Sequence, residues 1–190
     1  MCTLYNIKAS RAEVAALFDA VAGNAPAELE IPEIYPNRRA FVVRATTHGR
    51  VVDAMAWGFP PPATLKAPVV NARNLASPFW RSSIANPAQR CLVPVSSFSE
   101  WETTSAGKVK RWFNVPTRPV FAFAGLWRPT DTGAVFAFLT CAPNPLVGAI
   151  HPKAMPVILD DEDHETWLTG DTAAASALAV PFPSQLMAMG

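Results

Sequence analysis

The sequence predicts an α+β domain: a mostly antiparallel, barrel-like sheet with two or three flanking helices, residues 1–190 forming one unit with a helical tail from about 160 to 190. Three observations predict it. Half of the 190 residues are apolar, enough to bury a substantial core. Those residues fall mainly in strand-length runs separated by Gly, Pro, Ser and Thr, as antiparallel connections are. The 19 prolines, about twice the usual frequency of roughly 5 %, end elements early and leave little room for long helices.

In chain order, Cys2 to Ile7 alternates loosely and reads as a short strand that anchors the amino terminus in the body of the fold. Ser10-Arg11-Ala12-Glu13 is a capping box, and Val14, Leu17, Phe18 and Val21 give the helix behind it one apolar face, with Gly23 as its stop. A loop containing Pro26, Pro32 and Pro36 leads to strands over Ala40–Arg44 and Val51–Trp57, joined by a turn that leaves His48 solvated. Gly58 and three prolines break the second strand. Val69 to Arg73 reads as a buried strand running into polar residues, and Pro78 to Ile84 as a helix with Phe79 and Ile84 inward and Arg81 outward.

Strands are then expected over Cys91–Val95, Phe98–Trp101, Lys110–Val115, Val120–Leu126, Val135–Cys141 and Met155–Leu159. Asp160 to Trp167 reads as a helix with acids in its first turn and an exposed His164, and Asp171 as the cap of a helix over Thr172–Val180.

Composition narrows the function classes. No run approaches the roughly 20 apolar residues of a membrane span and the start lacks a signal peptide, so a soluble, cytoplasmic, monomeric protein without a membrane partner is expected. Three cysteines without a CxxC spacing argue against a disulfide framework and a zinc site; Cys91 and Cys141 read as core thiols, and no metal or cofactor is expected. Net charge is +1, but from Arg38 to Lys153 there are 14 Lys and Arg against four acids, a net of +10, and the chain beyond is acidic or neutral. That asymmetry suits one phosphate-binding face.

Cys2 is where chemistry is expected. A small residue behind Met1 permits its removal, and the exposed cysteine then carries an amine (pKa roughly 8) and a thiol (roughly 8.5) on adjacent carbons. Such a pair can condense with an aldehyde to an imine and close to a thiazolidine, or work as nucleophile and base in acyl transfer. Asn71, Glu100 and His151 stand at the edges of apolar strands. Each alone has a structural use. Together they supply an orienting amide, a proton shuttle and an acid or base for a sugar's ring oxygen, as aldehyde capture requires.

Met1-Cys2, Asn71-Ala72-Arg73, the stretches Arg90 to Pro94 and Phe98 to Trp101, Ala124-Gly125-Leu126-Trp127, and His151 to Leu159 with Met155-Pro156-Val157-Ile158-Leu159 follow one another in that order. On these residues the chain resembles the SRAP family, named for SOS-response-associated peptidases and known as sensors of abasic sites in single-stranded DNA. The resemblance implies that Cys2, freed of Met1 by autocatalytic or host processing, attacks the open-chain aldehyde of an abasic deoxyribose and ends as a DNA–protein crosslink that shields the lesion. In that reading Glu100 shuttles protons, His151 assists ring opening and Asn71 orients the terminal residue. Arg73 holds phosphate and Trp57 is a wedge for base stacking, with Arg38, Arg39, Arg81 and Lys153 completing the expected DNA-binding set.

Three departures bear on DNA binding rather than chemistry. Thr3-Leu4 stands where Gly-Arg is common, His151-Pro152-Lys153 replaces His-Asp-Arg, and Arg73 is followed by Asn74-Leu75-Ala76 without the usual acid. A lysine there is a point charge instead of a bidentate fork. Two other function classes stay open on the residues alone. Cys2 also suits an N-terminal-nucleophile amidohydrolase, though no Gly-rich Asn-Gly signature supplies its oxyanion hole. The basic segment and the tryptophans would suit a non-catalytic single-strand-binding module.

Overall fold

A computed structural model describes residues 2–63 and 65–190. Its elements in chain order are β1 (Tyr5–Asn6), α1 (Arg11–Leu17), β2 (Ala20–Ala22), β3 (Glu33–Ile34), β4 (Arg39–Thr46), β5 (Gly49–Trp57), β6 (Asn71–Ala72) and α2 (Pro78–Ala85). Four long strands follow, β7 (Arg90–Val95), β8 (Ser97–Thr104), β9 (Gly107–Asn114) and β10 (Phe121–Thr130), and then β11 (Gly133–Cys141) and α3 (Pro145–Gly148). The chain finishes with β12 (Met155–Pro156), β13 (Ile158–Leu159), α4 (His164–Thr169), α5 (Thr172–Ala177) and β14 (Ala188–Met189).

The barrel is a closed ring of five strands. β7, β4 and β5 pair in antiparallel order, β5 pairs with β11, and β10 joins β11 back to β7. The closing contact is parallel, Val135 against Ala56 and Phe136 against Trp57. Closure removes free sheet edges, and alternation sends every second side chain of each strand inward. Trp57, Phe123 and Phe138 fill the interior together with Tyr5 of β1, whose ring meets all three edge-on. A second, five-stranded sheet in the order β14, β9, β8, β1, β3 packs beside it, joined to the barrel through Phe98, which stacks on Phe113 of its own sheet and meets Phe123 of β10 edge-on.

The capping box forms: Ser10 Oγ accepts from Glu13 N at 3.2 Å and Glu13 Oε2 accepts from Ser10 N at 2.7 Å. The helix is shorter than the periodicity predicts. It ends at Leu17, Asp19 turns the chain at φ 49°, and Ala20–Ala22 run as a strand parallel to β5. Val14 and Phe18 are buried, whereas Leu17 and Val21 face solvent. Gly23, expected as a helix stop, instead allows close approach, because a Cβ there would sit 2.3 Å from Val51 Cγ2.

The carboxy-terminal segment is α-helical only as far as Ala177, has one further 3-10 turn at Ser184–Leu186, and its last strand pairs with β9. His164, expected in solvent, is buried at 5 % exposure against Phe18, since the 3-10 turn at Asp161–Asp163 rotates it inward. Buried Arg90 ties this region to the barrel, donating to the carbonyls of Ile84, Trp167 and Gly170 at 2.6–3.2 Å. No helix among the described residues is long and apolar enough to cross a membrane.

Candidate active site

β1 and β8 hold Cys2 in place. β1 lies between β3 and β8, with Tyr5 opposite Ile34 on one side and Phe98 on the other. Ser99 N donates to Leu4 O at 3.0 Å and carries the pairing one residue toward the terminus. Cys2 is 1 % exposed, with Sγ 3.4 Å from the Leu4 carbonyl oxygen and 3.9 Å from that of Ser99, acceptors for its S–H. Burial, followed by the neighbouring Glu100 carboxylate, pushes the thiol well above its ordinary range. With Met1 still attached, burial thus favours the thiol over the thiolate, and a base must take its proton before the sulfur can react. Met1 lies outside the described residues.

Glu100 follows Ser99 on β8 and turns inward with the parity of Phe98. Burial raises its carboxyl to about 7. His151 arrives from the far side, in the turn between α3 and β12, and its Nε2 stands 3.6 Å from Glu100 Oε2. Burial, with a smaller contribution from Lys153, lowers the imidazole below its ordinary value, so it is neutral near pH 7. The Lys153 amide donates to His151 Nδ1 at 3.4 Å, a contact that favours the tautomer with its proton on Nε2, facing Glu100.

Asn71 begins β6, a two-residue strand parallel to β11 with Asn71 opposite Phe138. β12, directly after the His151 turn, pairs with Thr140 and Cys141 of the same strand, so Asn71 and His151 are both positioned by the end of β11. Gly58 makes the preceding bend at φ 132°, and the Phe59–Val69 bridge returns the chain toward β6. Both polar atoms of the Asn71 side chain, and Glu100 Oε1, are buried without a hydrogen-bond partner among the described residues. Such orphaned groups cost stability and are rare away from functional sites.

The structure thus sets Glu100 3.6 Å from His151 and near enough to Cys2 for its charge to act on the thiol, while Asn71 stands opposite Phe138 on β11, beside the Thr140–Cys141 pairing that positions the His151 turn. Arg73 is exposed just beyond, donating to the Cys141 carbonyl. Arg81 is exposed on α2, Arg38 and Arg39 at the start of β4, and Lys153 beside His151; Arg39 also donates to the Ala54 carbonyl at 2.7 Å. Trp57 requires correction. It is fully buried, stacked on Phe136 and Phe138, with Nε1 donating to Val70 O at 3.0 Å, so it is a barrel residue that offers no face to a base. Its position at a strand end before Gly58 is the same in either role.

Sequence reasoning passed over Tyr5. Its hydroxyl is buried without a partner among the described residues, and burial, with a smaller contribution from the neighbouring Cys2 and Cys91, raises its pKa. The signal available was a tyrosine in a short strand three residues from Cys2. Cys91 and Cys141 are buried thiols, the latter pushed up to about 11 by desolvation. No cluster of three or more His, Cys, Asp or Glu able to hold a metal occurs among the described residues. Chemically, the arrangement offers a thiol held by carbonyls beside a carboxyl that gives and takes protons near neutrality.

The family described as SOS response associated peptidase (SRAP) matches residues 1–190. Among curated proteins, the chain is 32 % identical over 127 residues to the abasic site processing protein YoqW of Bacillus subtilis, covering 60 % of this chain and 55 % of that protein. The abasic site processing protein YobE of the same organism is 32 % identical over 127 residues, covering 60 % of this chain and 57 % of its own length. The match therefore spans little more than half the length of these relatives. Crystal structures of a Bacteroides thetaiotaomicron protein (TM-score 0.84, 24 % identity, 99 % of this chain and 90 % of that one) and a Bordetella bronchiseptica protein (0.82, 22 %, 100 % and 98 %) share the fold.

Proposed function

Because the chain belongs to the SOS response associated peptidase family, we propose that it captures abasic sites in single-stranded DNA as a covalent thiazolidine on Cys2, once Met1 has been removed. The observation that carries this reading is the Cys2–Glu100–His151 constellation: a buried thiol beside a carboxyl raised to about 7 and an imidazole 3.6 Å from that carboxyl. The abasic-site processing activity named for the Bacillus relatives supports it.

The steps follow from the protonation states. Hydrolysis of the Met1–Cys2 peptide bond, by the protein itself or by an aminopeptidase, turns the Cys2 amide nitrogen into a primary amine. Neutral His151 moves the proton that opens the deoxyribose ring, exposing the C1′ aldehyde. The amine adds to C1′, with Asn71 as the hydrogen-bonding partner that orients it. Glu100 in its acid form gives its proton to the resulting hydroxyl, which leaves as water, and a C=N bond remains. The Glu100 carboxylate then takes the Cys2 S–H proton while sulfur bonds to the same carbon. The ring closes, one water is lost overall and Glu100 regains its acid form.

The exposed Arg73, Arg81, Arg38, Arg39 and Lys153 are the cations proposed to hold phosphates of the strand. The deciding experiment mixes protein whose terminus is verified by mass spectrometry with single-stranded oligonucleotides, intact or carrying one abasic site, and resolves them on a denaturing gel. A retarded band with the abasic strand alone is expected. Its loss in Cys2→Ala, and a band in Cys2→Ser only after borohydride trapping of the imine, would complete the case. Absence of a band with correctly processed protein overturns the proposal, and equal binding of both strands by parent and Cys2→Ala would leave a non-catalytic binding module.

A further inference from the structure

The His151 turn hangs between one helical turn, α3, and the two-residue strand β12, elements too short to fix a side chain unaided. Asn144, 4 % exposed and directly before α3, supplies what they lack. Its Oδ1 accepts from Val147 N at 2.9 Å and caps the helix. The Val147 carbonyl in turn accepts from Ile150 N at 3.0 Å and from His151 N at 2.8 Å, so the capped residue is the one that holds the backbone of the imidazole. The Asn144 backbone N–H donates to Met155 Sδ at 3.2 Å, which ties the start of α3 to β12, where the turn ends.

The amide is itself held from outside the site. Its Nδ2 donates to the Phe182 carbonyl at 2.7 Å and to Met187 Sδ at 3.2 Å, both in the carboxy-terminal segment beyond α5. Those bonds fix which way the amide points, since a flip would set its N–H groups against the Val147 N–H. Ser10 and Asp171 cap α1 and α5 from less buried positions with one side-chain oxygen each. Burying a whole amide and bonding both its ends is more than a four-residue helix requires. We propose that Asn144 is a positioning residue: through Val147 it sets the His151 imidazole opposite Glu100, and the carboxy-terminal segment, by orienting the amide, supports the site. The proposal rests on the reading that His151 opens the sugar ring, and it goes beyond that reading by assigning the placement of the imidazole to a residue outside the Cys2–Glu100–His151 constellation.

The test pairs adduct rates on an abasic single-stranded oligonucleotide with NMR titration of the histidine rings, the His151 signal being identified by its loss in His151→Ala. His151 faces Glu100 of β8 and, within its own turn, Lys153. In Asn144→Ala its midpoint is expected to rise toward the ordinary value of about 6.5 as the imidazole leaves its buried place. Buried His164 keeps its midpoint of about 4 and reports an intact fold. The adduct rate falls by about tenfold or more, the scale of a misplaced catalytic group. In a His151→Ala background the same substitution lowers the rate by less than about twofold further, because no imidazole is left to position. Asn144→Ser keeps a cap for Val147 N but not the bonds to Phe182 and Met187, so it folds even where Asn144→Ala does not and shows both changes to a smaller degree. An unmoved His151 midpoint in the folded variants, equal rate losses with and without His151, or a His164 midpoint that shifts alongside overturns the proposal. A parent that forms no adduct removes the abasic-site reading instead, and the titrations then decide the role of Asn144 by themselves.

Discussion

His151 Nε2 faces Glu100 Oε2 at 3.6 Å, beyond a good hydrogen bond yet well within range for each group's charge to govern the other. Burial moves the two in opposite directions, the carboxyl up to about 7 and the imidazole down, so both are driven toward their neutral forms. A neutral acid beside a neutral base lets a proton be delivered without first separating charge in a dry site.

That pairing predicts the pH profile of adduct formation. The amine must be unprotonated, which favours pH above roughly 8, whereas Glu100 must hold its proton for dehydration, which favours pH below about 7. A bell-shaped rate with its maximum between these values is expected from quenched time courses on denaturing gels. Glu100→Gln should be slowed by about a hundredfold or more, in line with loss of an acid–base catalyst, and should lose the alkaline fall.

Glu100 should also set a stability slope. Its folded pKa is about 7 against an ordinary 4.5, so between those values the folded state binds the extra proton and stability falls as pH rises. Glu100→Gln is expected to melt higher than the parent at pH 8, by an amount on the order of 2–3 kcal/mol. The advantage should shrink steadily toward pH 4.5 in calorimetric scans.

His164 tilts the acid side the other way. Burial lowers it to about 4, with Asp161 and Asp160 opposing the shift and Arg50 and Arg118 adding to it. The unfolded chain takes up the proton first as pH falls below 6.5, so stability is lost between there and about 4. His164→Phe keeps an aromatic ring for Phe18, which lies 5.4 Å away, and should flatten that loss in urea titrations at pH 4 to 7.

Asn71 separates function from folding. Because neither end of its amide has a partner among the described residues, Asn71→Ala removes no hydrogen bond and relieves desolvation of the order of 1–3 kcal/mol. The variant should melt at or above the parent temperature while its adduct rate falls at least about tenfold, the scale of a lost orienting bond. A lower melting temperature would mean that the amide is structural.

Arg90 behaves in the opposite manner. Arg90→Met leaves the carbonyls of Ile84, Trp167 and Gly170 without their shared donor, and an unfolding free energy lower by about 3 kcal/mol or more is expected. Thermal melts would check it, with protection of α4 and α5 in hydrogen exchange as the local readout.

Much of this was legible from the residues. The Ser10 box, the strand runs and the polar interruptions at Asn71, Glu100 and His151 depend on local pattern, which a linear reading captures. What it missed depends on tertiary contacts. The α1 face predicted through Val21 stops because Ala20–Ala22 gain a parallel partner 30 residues away in β5, and helix propensity yields to that pairing. The ring closure of β5 on β11 is likewise a parallel contact across some 80 residues, without a signature in either strand. Trp57 and Trp101 are both tryptophans at strand positions, and only the packing of Phe136 and Phe138 makes the first a core residue and leaves the second outside.

The pairing of β1 on both sides has a mechanical consequence. A polymer joined to Cys2 and hauled along the strand axis loads the Leu4–Ser99, Tyr5–Phe98 and Tyr5–Ile34 links in shear, so they resist together instead of peeling one after another. A tether placed at this terminus would be moored from both sides, and a motor dragging it would need to tear out β1 before the anchor let go.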